Sequence, residues 1–419
     1  MLWTRKGGLW LFLGVISLVF GLITADFQFA ILALIIFTFF FLVLILPRPV
    51  VSIDREVSNT LLFENNELKV DLSMRKERTG YGTVEVYDKI PEFAELRRGI
   101  NNMVYNPHNK PTLSYSLKFP LRGYYSVGPT HVRIADHFNL FYDDQILYDK
   151  QPVSVFPHIP GLKEFKIKSK KNIHYPGEIL TRQPGTSTEF YNIRDYIKGD
   201  PFKKINWKVY ARKRELMVNE FEKENICDTV LFLDARSISN IGTTKNNSLE
   251  TGIKLALSVA NFLILNRNQI GLVVYSDQVR VMPPKPGLQQ RDKIVRFLTG
   301  IYPQGWEQFS VALYYARPYI KSKTTIIIIS NLEYDLSFLS TMQELVANNH
   351  KILILTPSAI DFEVKAVGYK GPKEKIEIVK LSRENYLTQL RGLGIDVIEI
   401  FPEDSIEEIM SSVSKEILR

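Results

Sequence analysis

The sequence predicts a multidomain protein with an N-terminal transmembrane helical hairpin, a β-sandwich-like module and a C-terminal α/β domain of the Rossmann-like type. Two long uncharged apolar runs near the start, short alternating segments after them, and apolar strands alternating with amphipathic helices at the end support this class. We place the boundaries at 1–48 for the two helices, 49–158 for the β-rich module, 159–228 for a bridging segment and 229–419 for the α/β domain.

The overall composition excludes several classes of protein. Of 419 residues, 45% are hydrophobic and 23% are charged, which is typical of folded chains and excludes bulk disorder. One cysteine, Cys227, excludes an internal disulfide framework, and six histidines without Cys/His ligand spacing exclude a zinc cluster. The net charge of +8 allows an anionic partner or membrane surface without identifying one.

The two apolar runs, residues 7–24 and 27–46, are predicted to be membrane-spanning helices. They contain 18 and 20 residues, enough to cross a hydrocarbon core of about 30 Å. A cleaved signal peptide is the alternative, but the second run follows at once and no A-x-A-like site separates them. Basic residues flank the pair (Arg5, Lys6 and Arg48), so the positive-inside rule predicts both termini and the soluble domains in the cytoplasm. Without buried charges the pair provides no ion pathway, so we interpret it as an anchor in the cell membrane.

The β-rich module is predicted from seven short segments that are rich in branched and aromatic residues. They are VVSIDREV, ELKVDLSMR, GTVEVYDKI, PTLSYSLKF, RGYYSVG, THVRIAD and PVSVF. Several alternate apolar and polar residues, which is typical of half-buried strands. Seven such strands predict an antiparallel sandwich of immunoglobulin-like size. Its charged residues show no convergent arrangement, so we expect a structural or docking module.

The α/β domain is predicted from five apolar strands, TVLFLD, IGLVVYS, TTIIIIS, KILILT and DVIEIF, separated by helical stretches. The predicted helices cover 248–265, 292–301, 310–320, 336–347, 383–393 and the stretch from about 404 onward. Such strands form a mostly parallel sheet whose functional edge lies beyond their carboxyl ends. Phosphate-binding loops, GxSxG and HExxH motifs are all absent from the sequence, so we predict no catalytic residues and no enzyme activity.

The bridging segment between the two domains is dense in basic residues interleaved with aromatic ones, especially over 182–224. Basic residues with aromatics could bind nucleic acid through phosphate contacts and stacking. The alternative is structural: the acidic residues of the segment pair with its bases, and the aromatic rings pack against the sheet under the basic stems. We favour the structural alternative.

The same segment resembles the signature of domain-of-unknown-function family 58. The resemblance rests on Glu189, Phe190, Arg194, Asp195, Tyr196, Gly199, Asp200, Pro201, Ile205, Asn206, Trp207, Lys208, Ala211, Arg212, Leu216 and Glu220. An upstream element, from Arg122-Gly123-Tyr124 through Gly128-Pro129 to Asp136 and Phe138-Asn139-Leu140-Phe141, is similar to that family's RG-Y-GP-DPFGLF. His137, Asn139 and Asn206 depart from the pattern. The resemblance implies a von Willebrand factor A-like C-terminal domain and work beside MoxR-type AAA+ ATPases in assembling or activating other complexes.

A von Willebrand A-like domain implies a test for Mg²⁺, which such domains hold through D-x-S-x-S, a Thr and a further Asp. Here Asp234 is present, but Arg236 and Ile238 occupy the serine positions, Glu307 replaces the Thr and Asn331 matches the last Asp. An Arg among the ligands would repel a divalent cation and pair with Asp234 instead. We therefore expect a degenerate site, with no metal and no cofactor.

Two functional hypotheses follow. The first, which we favour, is a non-enzymatic adaptor that binds a protein partner, such as a AAA+ ATPase, at the carboxyl edge of the α/β sheet. Its predicted contact residues are Asp234, Arg236, Ser237, Ser239, Glu307 and Asn331. The alternative is a cytoplasmic-face binder of nucleic acid or another polyanion, which would use the basic and aromatic signature.

Overall fold

The computed structural model describes residues 2–78, 80–106, 111–158, 179–225, 228–321, 324–333, 335, 337–368 and 373–418. For 179–192, 220–225, 373 and 418 it describes the backbone alone. The chain divides into two units, Met1–Pro157 and His158–Arg419. The four-part division drawn from the sequence is finer than this and stays a prediction.

The N-terminal unit begins with a short strand, β1 (Leu2–Trp3), and two helices, α1 (Arg5–Thr24) and α2 (Phe27–Ile45). Both helices are long and apolar enough to cross a membrane, as predicted, and their bounds lie within two residues of the predicted ones. Small residues of α1 face α2 and allow close packing. The Ser17 hydroxyl, for example, donates to the carbonyl of Phe29 at 2.9 Å.

The described part of the β-rich module contains eleven strands, four more than predicted. They are β2 (Val50–Val57), β3 (Leu61–Phe63), β4 (Glu67–Arg78), β5 (Thr83–Asp88), β6 (Glu95–Gly99), β7 (Asn102–Tyr105), β8 (Thr112–Lys118), β9 (Gly123–Val127), β10 (Thr130–Ala135), β11 (Phe141–Leu147) and β12 (Gln151–Phe156). The prediction missed β3, β6, β7 and β11. The first three lie at sheet edges, and β6 and β11 are mostly polar, so a search for alternating apolar residues does not find them.

These strands form three sheets with the orders β1-β11-β10-β5-β7, β2-β4-β8-β6 and β3-β12-β9. All pairs are antiparallel except β3 with β12, which are parallel, so the prediction of a purely antiparallel sandwich is wrong at this pair. The alternation seen in the sequence is real: Leu68, Val70, Leu72 and Met74 of β4 are buried while their neighbours face outward. The described core joins strands of all three sheets.

A buried ion pair connects two of these sheets. Arg55 on β2 donates to the carboxylate of Asp88 at 2.6 Å, and both side chains are almost fully buried. Tyr115 and Thr130 also donate to Asp88, at 2.5 and 3.0 Å. The sequence-based statement that the charged residues do not converge is therefore wrong for this pair, whose members lie 33 positions apart. The arrangement is structural, because it is closed to solvent and its groups bond to each other.

The loop between β10 and β11 holds the start of the helical hairpin. The carboxylate of Asp136 accepts hydrogen bonds from the backbone N–H groups of Phe138, Leu140 and Phe141 at 2.8, 2.8 and 2.5 Å. Asn139, at the position where the family pattern has Gly, has a φ of 57°, which Asn tolerates better than most residues. Asp136 thus fixes the loop in one conformation.

This loop contacts the hairpin through both hydrogen bonds and rings. The backbone N–H of Thr4 donates to the carbonyl of Leu140 at 3.0 Å, and the Thr4 hydroxyl donates to that of Asn139 at 2.7 Å. The ring of Phe141 packs edge-on against Phe40 of α2, with 5.5 Å between centroids. The upstream family element is therefore the point where the β-rich module attaches to the helices.

The C-terminal unit begins with a ribbon of two antiparallel strands, β13 (Ile179–Asp195) and β14 (Met217–Asn225). Between them lie a 3₁₀ helix, Phe202–Lys204, and α3 (Trp207–Lys213). We call residues 193–219 the ribbon tip. It contains most of the predicted family signature.

The rest of the unit is an α/β fold, which together with the hairpin and the sandwich confirms the predicted fold class. Its elements are β15 (Asp228–Asp234), α4 (Ser248–Leu265), β16 (Gln269–Tyr275), β17 (Val279–Lys285), α5 (Leu288–Thr299), α6 (Phe309–Ala316), β18 (Thr325–Ile329), α7 (Phe338–Ala347), β19 (Lys351–Pro357), α8 (Ala359–Val367), α9 (Lys373–Gly392), β20 (Asp396–Ile400) and α10 (Ile406–Leu418). Helix α4 is also long and apolar enough to span a membrane, but 72% of its apolar window is buried inside this unit.

The sheet order is β17-β16-β15-β18-β19-β20, and every strand is parallel to its neighbours except β17. The prediction missed β17, which carries two prolines at a sheet edge, and α8. It also assigned only the second half of α9. The strand order reverses between β15 and β18, and ligand sites of open α/β sheets lie at such a switch point.

Replacing Asp136 should destabilise the N-terminal unit. Asp136→Ala leaves three backbone donors of the buried loop without an acceptor, which we expect to cost roughly 3 kcal/mol. Denaturant unfolding of the detergent-solubilised protein, followed by a probe in this unit, measures the change. The matched control is Asp144→Ala, which removes an exposed pair with Arg133 and should cost less than about 1 kcal/mol. Equal effects of the two substitutions would contradict the role assigned to Asp136.

Candidate functional site

The switch point of the sheet contains a buried carboxylate, Asp234, at the end of β15. Its Oδ1 accepts hydrogen bonds from the backbone N–H and Nε of Arg236 at 3.1 and 2.9 Å. Its Oδ2 accepts from Arg236 Nη2 and from the Ser330 hydroxyl, both at 2.7 Å. Asp234 and Arg236 are each only 2% exposed. Both oxygens of Asp234 are therefore occupied by groups of this chain, and the predicted Arg236–Asp234 pair is present.

The guanidinium of Arg236 is enclosed on its other sides. It lies 5.5 Å from the ring centre of Tyr275, and its Nη2 donates to the carbonyl of Glu333 at 3.2 Å. Burial alone would lower the pKa of Arg236, but the hydrogen bonds and charge of Asp234 raise it above its ordinary value. Burial has the opposite effect on a phenol and raises the pKa of Tyr275 well above its usual range. The guanidinium is thus charged and the neighbouring phenol neutral.

A von Willebrand A-type Mg²⁺ site does not fit this geometry. The carboxylate that would coordinate the ion already bonds a guanidinium through both oxygens, and a divalent cation beside Arg236 would be repelled. Over the described ranges of the chain, no group of three or more His, Cys, Asp and Glu side chains is placed to hold a metal ion. The positive charge beside Asp234 comes from the guanidinium of Arg236.

A second guanidinium, Arg383 of α9, connects the ends of three neighbouring strands. It donates to Glu399 of β20, to the Thr356 hydroxyl of β19 and to the carbonyl of Asn331 after β18, at 2.7, 2.7 and 2.9 Å. Sequence reasoning missed this residue. Arg383 stood at the start of a predicted helix, and no local pattern showed that it reaches strand ends up to 52 positions away.

The loop after β18 is fixed by further hydrogen bonds. The side-chain amide of Asn331 donates to the carbonyl of Ile238 at 2.9 Å, joining this loop to the one after β15. Asp335 accepts from the backbone N–H of Phe309 at 2.8 Å and so caps the start of α6. Burial raises the pKa of Glu333, opposed by the nearby charge of Arg383. We call the loops 234–239, 276–278, 302–308 and 330–335 together the carboxyl edge.

The burial of these side chains changes the expected contact surface. Asp234, Arg236, Ser239 and Asn331 are buried, whereas Ser237 is exposed and Glu307 is half-buried. A partner that docks on this edge therefore cannot touch the first four without opening it. In particular, the guanidinium of Arg236 points inward to Asp234, so in this conformation it is not available to a partner.

The loop 302–308 presents the large exposed side chains of this edge. Its backbone bonds to both neighbouring loops, through Gln304 N–H to Ala235 O and Glu307 N–H to Ser276 O, at 3.1 and 3.0 Å. Gly305 has a φ of 74°, and a Cβ there would lie 2.2 Å from the Cα of Asp277, so the close approach requires glycine. Trp306 next to it is 67% exposed. The sequence suggested this loop as a ligand loop, but it gave no sign that the Trp side chain is exposed.

Within the ribbon tip, the signature residues Arg194 and Asp200 form a two-armed ion pair, with both N–O distances 2.7 Å. These bonds, with one from the Ile197 N–H, lower the pKa of Asp200 to about 2. Trp207 and Tyr210 are exposed, so the favoured interpretation that the aromatic rings pack under basic stems is wrong for these two. The side chains of Glu189, Phe190 and Glu220 lie outside the described residues.

The remaining signature residues lie in the segment that connects β13 to β14. Tyr196 and Gly199 lie in the stretch after β13, and Arg212 is exposed in the last turn of α3. Asn206 caps α3 by accepting from the N–H of Val209 at 3.1 Å, a role that its short side chain suits. None of the described signature residues lies on the carboxyl edge.

Removing the Arg236 guanidinium should strongly destabilise the α/β fold. Arg236→Met leaves the charge of Asp234 buried without its partner, which we expect to cost about 3–5 kcal/mol in denaturant unfolding. The double variant Asp234→Asn/Arg236→Met should recover part of that loss, since no charge remains. The control Arg317→Met breaks an exposed pair with Glu344 and should cost less than about 1 kcal/mol. A double variant no better than Arg236→Met would contradict this account.

The same geometry predicts that stability is independent of Mg²⁺. Since Arg236 occupies both oxygens of Asp234, millimolar Mg²⁺ or its removal by a chelator should leave the thermal unfolding midpoint unchanged. Ca²⁺ at matched ionic strength serves as the control for nonspecific salt effects. A rise in the midpoint specific to Mg²⁺ would show that the cation displaces the guanidinium.

Comparisons with known proteins agree with the family resemblance. Residues 192–370 match the model of the family described as "Protein of unknown function DUF58". The chain is 23% identical over 252 residues to "Uncharacterized protein YeaD" of Bacillus subtilis (strain 168), which covers 58% of this chain and 61% of that protein. The chain thus spans about three fifths of the length of this relative.

Two solved structures are similar to parts of the chain. A von Willebrand factor type A protein from Catenulispora acidiphila has a TM-score of 0.29 at 13% identity, over 47% of this chain and 44% of that one. An uncharacterized membrane spanning protein from Vibrio fischeri has a TM-score of 0.18 at 14% identity, over 46% and 98%. Likenesses at these scores support no functional argument. The resemblance to this family is confirmed over residues 192–370, which match its model.

Proposed function

We propose that the protein is a membrane-anchored, non-enzymatic adaptor that binds a protein partner at its carboxyl edge, with Trp306 as the main contact. The observation that carries this proposal is a large, exposed aromatic side chain on a loop whose backbone is bonded to both neighbouring loops. Trp is enriched among residues that dominate binding energy, and a pre-ordered loop loses little entropy when it binds.

The buried network behind this surface supports the same role. Arg236 and Arg383 fix the loops after β15 and β18. The loop that carries Trp306 therefore packs beside loops that are held by arginine side chains and need no cation. Ser237 and Glu307 add polar groups around the ring, and Tyr302 adds a second exposed ring in the same loop. An aromatic centre with a polar surround is the usual composition of a protein interface.

The arrangement also favours binding over catalysis. Asp234, the carboxylate at the switch point, accepts four hydrogen bonds and is buried, so it is not free to take a proton from a substrate. Ser237 is exposed, but a serine nucleophile needs a general base beside it. Its neighbour in the sequence, Arg236, is a cation and cannot act as one. We therefore assign the edge a binding role.

The family resemblance suggests the class of partner. A MoxR-type AAA+ ATPase would act in the cytoplasm, and the basic residues that flank the helical hairpin favour the same side for the soluble domains. In this proposal the hairpin holds the adaptor at the membrane, and the carboxyl edge recruits the ATPase to assemble or activate other complexes there.

Capture from native membranes in mild detergent, with and without ATP, tests this function. Trp306→Ala should lower the recovery of a nucleotide-dependent ATPase by about thirtyfold or more, as loss of a central Trp contact does. Trp207→Ala is the matched control, because this Trp is also exposed but lies on the ribbon tip. Equal recovery with Trp306→Ala and the unchanged protein would refute the edge as the interface.

A further inference from the structure

The ribbon tip displays apolar side chains that nothing in its own fold covers. Ile197, Phe202 and Trp207 are each more than half exposed, and Leu216 and Tyr210 are also exposed. The backbone N–H of Tyr196 donates to the carbonyl of Leu216 at 2.9 Å, which places Ile197 and Leu216 at the same end of the ribbon. An exposed apolar cluster of this kind marks a binding surface.

These exposed side chains belong to a segment that is ordered by its own contacts. Ile205 and Val218 form the small buried centre of the tip. The side-chain amide of Asn206 donates to that of Asn219 at 2.7 Å, and the Asn206 N–H donates to the carbonyl of Met217 at 2.8 Å. The tip therefore presents these side chains from a structure held by its own hydrogen bonds.

The ribbon tip is also rich in positive charge. Residues 193–219 hold eight Lys and Arg against three Asp and Glu, a net charge of +5 within a chain whose total is +8. Lys203, Lys208, Arg212 and Lys213 are exposed, and none of them has an ion pair among the described residues. Asp200 is already bonded to Arg194. The described side chains of the tip thus carry a net positive charge.

We propose that the ribbon tip docks onto an anionic lipid surface, inserting Phe202, Trp207 and Ile197 at the headgroup level while its lysines and arginines contact lipid phosphates. Aromatic and aliphatic side chains with a basic surround are the composition of segments that lie in the membrane interface. Single-stranded nucleic acid would use the rings for stacking, but it has no use for exposed aliphatic side chains such as Ile197 and Leu216.

The helical hairpin makes this contact effective. A weak interfacial site becomes largely occupied when the same chain is already anchored in a bilayer, because the second contact is intramolecular. Stable membrane attachment of a peripheral segment usually takes two signals, and here the hairpin supplies one of them. The tip and the carboxyl edge are separate surfaces, so this inference does not depend on the proposed partner.

The experiment uses the full-length protein in nanodiscs of neutral phosphatidylcholine or of phosphatidylcholine mixed with phosphatidylglycerol. An environment-sensitive fluorophore is attached at Ala211→Cys on α3, after Cys227→Ser removes the native cysteine. In anionic discs at low salt, we expect a blue-shifted emission and quenching by lipid-borne quenchers. Both effects should be lost in neutral discs and at high salt, because exposed charges are screened.

Matched variants separate the tip from general charge effects. Lys203→Gln/Lys208→Gln/Arg212→Gln should lower the ratio of docked to free tip by on the order of a hundredfold, since each basic residue near an anionic surface contributes about fivefold. The control Lys150→Gln/Lys293→Gln/Lys375→Gln removes the same charge from exposed positions outside the tip and should leave the signal unchanged. Phe202→Ser/Trp207→Ser should also abolish the shift without changing net charge.

Three results would overturn the proposal. The first is emission that is identical in neutral and anionic discs, and the second is equal loss of signal in the tip and control variants. The third is binding of a single-stranded oligonucleotide that depends on Lys203, Lys208 and Arg212 while the label reports no lipid contact, which would establish the polyanion alternative instead.

Discussion

The buried pair of Arg236 and Asp234 is the interaction on which the C-terminal unit depends. A carboxylate at the end of the central strand, under 3% exposed, is stable only if a positive charge and enough donors compensate its lost hydration. Here a side chain two positions further on supplies both. The counter-charge is covalently part of the chain, so the pair itself needs no bound cation to neutralise Asp234.

The same physical solution recurs elsewhere in the chain. Arg383 joins three strand ends, and Arg55 connects two sheets through Asp88. In each case a planar group with five donors satisfies backbone carbonyls as well as a carboxylate, which a lysine could not do in one geometry. Asp136 solves the converse problem, because one carboxylate satisfies three backbone donors of the loop that meets the hairpin.

The sequence was a good guide wherever the signal was local. Helix α4 was predicted to the residue, and the Arg236–Asp234 pair was expected from the family resemblance, which puts Arg236 at a serine position of the D-x-S-x-S pattern. Periodicity could not reveal the edge strands β6 and β17, whose residues are charged or proline-rich. Nor could it reveal Arg383, whose partners come from strands that only the fold brings together. Above all, the sequence could not show which side chains are covered: it favoured packed aromatic rings in the signature and named Arg236 among the contact residues, whereas Trp207 is exposed and Arg236 is buried.

The two exposed tryptophans of the C-terminal unit, Trp207 and Trp306, differ in their electrostatic surroundings, and this difference favours the separate roles proposed for them. Trp207 stands among uncompensated lysines and arginines, whereas Trp306 is followed by Glu307 and lies in a loop bonded to the one that carries Asp277. A hydrogen bond from Ser276 lowers the pKa of Asp277, so this exposed carboxylate is charged near neutral pH. An anionic bilayer would attract the tip and repel these edge carboxylates over distances within a Debye length. The edge is then left accessible to a protein while the tip is held at the lipid surface, which is the arrangement that a membrane-bound recruiting protein requires.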